Sequence, residues 1–74
     1  MSSSFEHIKK LNELMSAYAG WLNRLESAKK EAEGEEDEVV KSAYRVLIKT
    51  QLKKARSAMM DVETEFHRYL TSLE

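Results

Sequence analysis

Between Ile48 and Leu73 the residues Ile48, Leu52, Ala55, Met59, Val62, Phe66, Tyr69 and Leu73 recur at spacings of 4, 3, 4, 3, 4, 3 and 4. Alternating steps of three and four keep returning to one face of an α-helix and conflict with the two-residue period of a strand. A helix with so regular a seam needs a second helix to lie against. The chain supplies one. Phe5, Ile8, Leu11, Met15, Tyr18, Leu22, Leu25 and Ala32 follow the same steps, with Lys29 as the polar slot in the series. Leu14, Trp21 and Ala28 widen this first stripe on one flank.

The two stripes are separated by Glu33-Gly34-Glu35-Glu36-Asp37-Glu38, a stretch without an apolar side chain. Gly34 is the natural candidate for a left-handed residue closing the first helix. The acids after it suit the positive N-terminal end of a second helix, with Asp37 or Glu36 near its cap. At the other end, Ser3 and Glu6 fit a capping box. The expectation is an all-α fold of one domain over 1–74: a helix over about 4–33, a turn over about 34–36 and a helix over about 37–73. These form an antiparallel, coiled-coil-like two-helix hairpin. A single continuous helix is the competing reading, because one Gly costs a helix only about 1 kcal/mol.

Composition closes off other classes. The 74 residues contain no Cys and no Pro, which excludes a disulfide scaffold and Cys-based zinc sites and removes the turn residues an all-β chain needs. No apolar run is long enough for a membrane span and nothing resembles a signal peptide, so a soluble, cytoplasmic protein is expected. Catalytic chemistry has no foothold. There is no Gly-rich phosphate loop, and two helices enclose no cleft. His7 and His67 sit in no metal-binding motif, since Ser4 and Thr64 stand where a di-iron helix needs Glu. No cofactor, metal or catalytic residue is expected, and the chain reads as a non-enzyme.

Binding remains. Two helices bury one stripe each, but Leu14, Trp21, Val39, Val46, Met60 and Leu70 lie beside or off the stripes. A chain this small gains only about 3–5 kcal/mol from a single core, so completion by a protein partner or by dimerisation is expected. The candidate contact residues are Leu14, Ala17, Gly20, Trp21, Val46 and Met60. Small Ala17 and Gly20 admit a close neighbour, and Trp21 offers the area typical of an interface anchor.

Charge is segregated although the formal net charge is −1. Residues 35–38 are all acidic, whereas Lys41, Arg45, Lys49, Lys53, Lys54 and Arg56 stand in a stretch without acids. Arg45, Lys49, Lys53 and Arg56 form a possible charged ridge. A solvated face ranks first for it, an acidic protein partner second and nucleic acid third, because the total charge is close to neutral and no aromatic residues interleave.

Leu22-Asn23-Arg24-Leu25-Glu26-Ser27-Ala28-Lys29-Lys30-Glu31, followed by Gly34 and Asp37, resembles the end of the first helix and the turn of the small helical-hairpin co-chaperones of bacterial type III secretion needle subunits. Length, Cys-free composition and a polar, Gly-containing turn agree, although this turn is more acidic and the last turns more polar than that pattern. The resemblance implies a protein that shields an aggregation-prone export substrate together with a helical-repeat chaperone. The other readings are a small dimeric regulator binding RNA or DNA through the basic ridge, and a phage-type inhibitor of a host protein.

Overall fold

A computed structural model describes residues 2–74, with side chains from Ser4 onward. It contains two α-helices, α1 (Ser2–Glu33) and α2 (Glu38–Leu73). They fold back on each other as an antiparallel hairpin with Cα extents of 56 × 14 × 11 Å. Its radius of gyration is 16.9 Å, against about 11 Å for a compact globule of this length. The described residues therefore form a rod with one line of contact and no enclosed interior. α1 begins at Ser2, slightly before the expected start, and the Ser3 side chain of the expected capping box lies outside the described residues.

The turn closes differently from the expectation. Gly34 is not left-handed, and no residue described has a positive φ. Instead, the Gly34 N–H donates to the Lys30 carbonyl at 3.3 Å and the Glu35 N–H to the Ala32 carbonyl at 3.2 Å. Carboxylates take over from there. Glu35 Oε1 accepts from the Glu36 and Asp37 amides at 3.1 and 3.0 Å. Asp37 is the N-cap of α2, its side chain accepting from the Val39 amide at 2.8 Å. The acidic run supplies the acceptors that the free amides at a helix start require, so the turn does not need glycine's conformational freedom.

The seam between the helices also differs in register. In α1 the half-buried and buried residues are Ser4, His7, Leu11, Leu14, Tyr18, Trp21, Leu25, Ala28 and Ala32. In α2 they are Lys41, Tyr44, Ile48, Gln51, Ala55, Ala58, Val62, Glu65 and Tyr69, with Met59 beside them. Each set is a heptad seam, but each is turned one column away from the expected stripe. Leu14, Trp21 and Ala28 move from flank to seam, while Phe5, Ile8, Met15, Leu22, Leu52, Phe66 and Leu73 move from seam to exposed surface.

The physical reason lies in size and polarity. Ala28, Ala55 and Ala58 are among the most buried residues; they let the backbones approach while the bulky Tyr18, Trp21, Tyr44 and Tyr69 fill the seam between them. The same register brings His7 onto Glu65. Each apolar stripe is three heptad columns wide, and a two-helix contact can cover only two of them.

Candidate protein-docking face

The uncovered third column defines the site. On α1 it holds Ile8, Met15 and Leu22; on α2 it holds Leu52, Met59, Phe66 and Leu73. Both columns lie on the same broad side of the rod. Lys29 and Arg45, which occupy these columns nearest the turn, line one shallow groove together with Ala32 and Lys41. Across the seam, the opposite columns also meet: Lys10 of α1 shares a groove with Asp61 and Arg68 of α2. One side of the hairpin is thus mainly apolar away from the turn and the other mainly charged, although Leu47, 41% exposed, lies on the second side in a groove with Arg24 and Glu31. Met15 and Leu52 are each 50% exposed and Phe66 is 47% exposed. Together with Ile8, Leu22, Leu73 and the adjoining Phe5, they form a contiguous patch larger than isolated exposed apolar residues account for.

The charged side is held in place by its own contacts. The Trp21 ring has the Arg24 guanidinium 4.6 Å and the Lys54 ammonium 4.7 Å from its centroid. Cations over an indole face are attractive, so this ring serves to clasp α1 to α2. Near the open end, His7 Nδ1–H donates to Glu65 Oε2 at 2.5 Å while the His7 ring stacks on Tyr69 with centroids 5.4 Å apart. Glu65 is only 6% exposed, and its other oxygen lies 3.7 Å from Arg68. Gln51 also points its side-chain oxygen into the seam and finds no hydrogen-bond partner among the described residues. Near the turn, Glu31 raises the Tyr44 phenol above its ordinary value of 10.0, by hydrogen bonding and by charge, with smaller effects from burial and from Glu35.

The expected contact residues are divided by this geometry. Leu14 and Trp21 are half-buried in the seam and contribute to the hairpin itself. Ala17 and Gly20 are exposed and line a shallow groove beside Trp21 and Arg24. A Cβ added at Gly20 would meet nothing within 4 Å, so no close approach of α2 depends on it. Val46 and Met60 are exposed on the outer ridge of α2, in a row with Lys53 and His67. Arg45, Lys49, Lys53 and Arg56 are all exposed. Arg45 joins Lys29 and Lys41 at the turn end of the apolar side, whereas Lys53 belongs to the outer ridge, so the four do not make one row.

Sequence reasoning assigned Met15, Leu22, Leu52 and Phe66 to the core and missed them as surface. In α1 a signal was available: Lys29 interrupts their column, whereas the column of His7, Leu14, Trp21 and Ala28 runs on without a Lys. In α2 the pattern pointed the other way, because Gln51 and Glu65 make the true seam look like the surface.

No helix among the described residues is long and apolar enough to cross a membrane. None of their His, Asp and Glu side chains cluster in a way that could hold a metal ion. Fold and face together define a class, a two-helix hairpin with an exposed apolar face. No protein-family model matches the chain, and neither does any curated protein or solved structure.

Proposed function

We propose that this chain is a non-enzymatic protein-binding hairpin that covers apolar surface on another protein with the side carrying Ile8, Met15, Leu22, Leu52 and Phe66. The observation that carries the reading is the row of large exposed apolar residues, Ile8, Met15, Leu22, Leu52, Phe66 and Leu73, along one side of the rod. Burying apolar area is the main driving force of association, and a helix pair that leaves a third column uncovered presents that area in one place. The charged side keeps the rod soluble and restricts docking to one orientation. A co-chaperone of type III secretion needle subunits is the specific form proposed, on the resemblance of the α1 end and turn. Such a protein would shield an aggregation-prone subunit in the cytoplasm before export.

The test is co-purification of the tagged chain from its native host with variants on two surfaces. Met15→Lys with Leu52→Lys should abolish capture of a specific protein, whereas Val46→Lys with Met60→Lys should leave it intact. Loss of capture only with the second pair would move the function to the outer ridge of α2.

A further inference from the structure

We infer that, when no other protein occupies it, the apolar side is closed by a second copy of this chain, the two hairpins lying face to face and antiparallel in a four-helix bundle. The inference rests on the docking reading for its choice of face and goes beyond it in naming the occupant and the arrangement.

The area is sufficient. From their fractional exposures, covering Phe5, Ile8, Met15, Leu22, Leu52, Phe66 and Leu73 removes on the order of 800 Å² per copy, the share each partner contributes to a standard stable interface. The shape also fits, because three apolar columns per helix suit a four-helix core and a two-helix contact uses only two.

The distribution along the rod selects the direction. At about 1.5 Å per residue from the turn, Leu22 and Leu52 lie roughly 20–25 Å out and Leu73 roughly 55 Å out. Closer to the turn the same side carries Lys29, Lys41 and Arg45 against one acid in the groove, Glu33, with Lys41 also paired to Glu38. Pairing with both turns at one end would press these cations against their own copies. Antiparallel pairing about a two-fold axis near Met59 lays Leu52 on Phe66 and Ile8 on Met15 of the other copy, sets Leu73 beside Arg45, and carries Lys29 and Lys41 past the end of the other copy.

The rim agrees with that axis. Outside the apolar column, α2 presents Lys49, Arg56, Glu63 and Leu70. With α2 antiparallel to α2 about Met59, Arg56 of one copy stands opposite Glu63 of the other, twice by symmetry. Both are exposed, and among the described residues neither is in an ion pair within the hairpin. Lys49 meets Leu70 of the other copy, along which its aliphatic stem can lie.

Sedimentation equilibrium of the full chain over micromolar to submillimolar concentration tests the inference, with circular dichroism confirming that each variant stays helical. A dimer is expected. Because the chain has no cysteine, one introduced residue reports unambiguously. Met59→Cys should link copy to copy with a short bismaleimide, whereas Leu73→Cys, about 20 Å from the axis, should not. Arg56→Glu should weaken the dimer about five- to tenfold, and Arg56→Glu with Glu63→Arg should restore it. A monomer at every concentration overturns the inference, as does linkage through Leu73→Cys without linkage through Met59→Cys. A monomer whose capture of another protein is still lost with Met15→Lys and Leu52→Lys removes the second copy and leaves the docking face standing. A dimer indifferent to those two substitutions overturns the inference, and capture of another protein that is equally indifferent to them overturns the docking face as well.

Discussion

Replacing His7 by Ala is expected to cost the hairpin about 1–3 kcal/mol, although His7 is a polar residue near one end of the rod. The magnitude follows from what is left behind. Glu65 is 6% exposed, and its close partner is His7 Nδ1 at 2.5 Å. Arg68 reaches its other oxygen only at 3.7 Å, with a side chain 67% exposed. Without His7 the carboxylate is buried beside one weak, solvated cation, and the Tyr69 ring loses its stacking neighbour. Breaking a fully buried ion pair costs about 3–5 kcal/mol; retaining Arg68 places this case below that range. Even so, the loss is large against the about 3–5 kcal/mol a core of this size supplies. Replacing both residues, with His7→Leu and Glu65→Leu, should return the stability to the parent's or above it, because well-packed apolar side chains commonly equal or exceed a buried pair. The assay is urea unfolding followed by far-ultraviolet circular dichroism at one low protein concentration, so that association contributes equally throughout. If His7→Ala falls within about 0.3 kcal/mol of the parent, or if the leucine pair is less stable than His7→Ala, this reading of the seam contact fails.

Three further substitutions separate local from tertiary effects in the same unfolding assay. Gly20→Ala should stabilise by about 1 kcal/mol, since the site is helical and the space around it open; destabilisation would reveal a close neighbour at that point. Asp37→Ala should cost about 1 kcal/mol through loss of the bond to the Val39 amide, and Asn at the same place should retain most of it. Trp21→Ala should cost about 2–3 kcal/mol of hairpin stability, from a half-buried seam residue with cations at its ring; a loss of association with unchanged stability would place Trp21 on the docking surface instead.

The steps of three and four made both helices and their antiparallel pairing legible, and the apolar-free run from Glu33 to Glu38 marked the turn. Side-chain chemistry narrowed the cap to Asp37 or Glu36, and Asp37 holds it. The orientation of each helix about its own axis did not. Leu11, Tyr18 and Leu25 lie in the expected stripe and in the observed seam alike, as do Ile48, Ala55, Val62 and Tyr69. Choosing between the columns on either side of them depends on how closely the backbones meet. Ala28, Ala55 and Ala58 permit the close approach, and a polar pair such as His7 with Glu65 becomes acceptable in a seam only when its partner is across from it. Such pairwise terms couple residues far apart in the chain, and periodicity within either helix does not contain them. Gly34 misled for a related reason: the closing acceptors come from the Glu35 and Asp37 side chains, so the backbone needs no left-handed residue.

Methionine footprinting reads the docking face itself, because the chain carries its own reporters. Met15 lies on the apolar side at 50% exposure, and Met60 lies on the outer ridge at 57%. In a dilute, isolated hairpin peroxide should convert both to sulfoxide at similar rates, as expected of accessible thioethers. When the docking face is occupied, by a second copy at high concentration or by a captured protein, Met15 should become protected while Met60 continues to react at its original rate. Protection of Met60 with Met15 still reacting freely would contradict the account and place the working surface on the opposite ridge of α2.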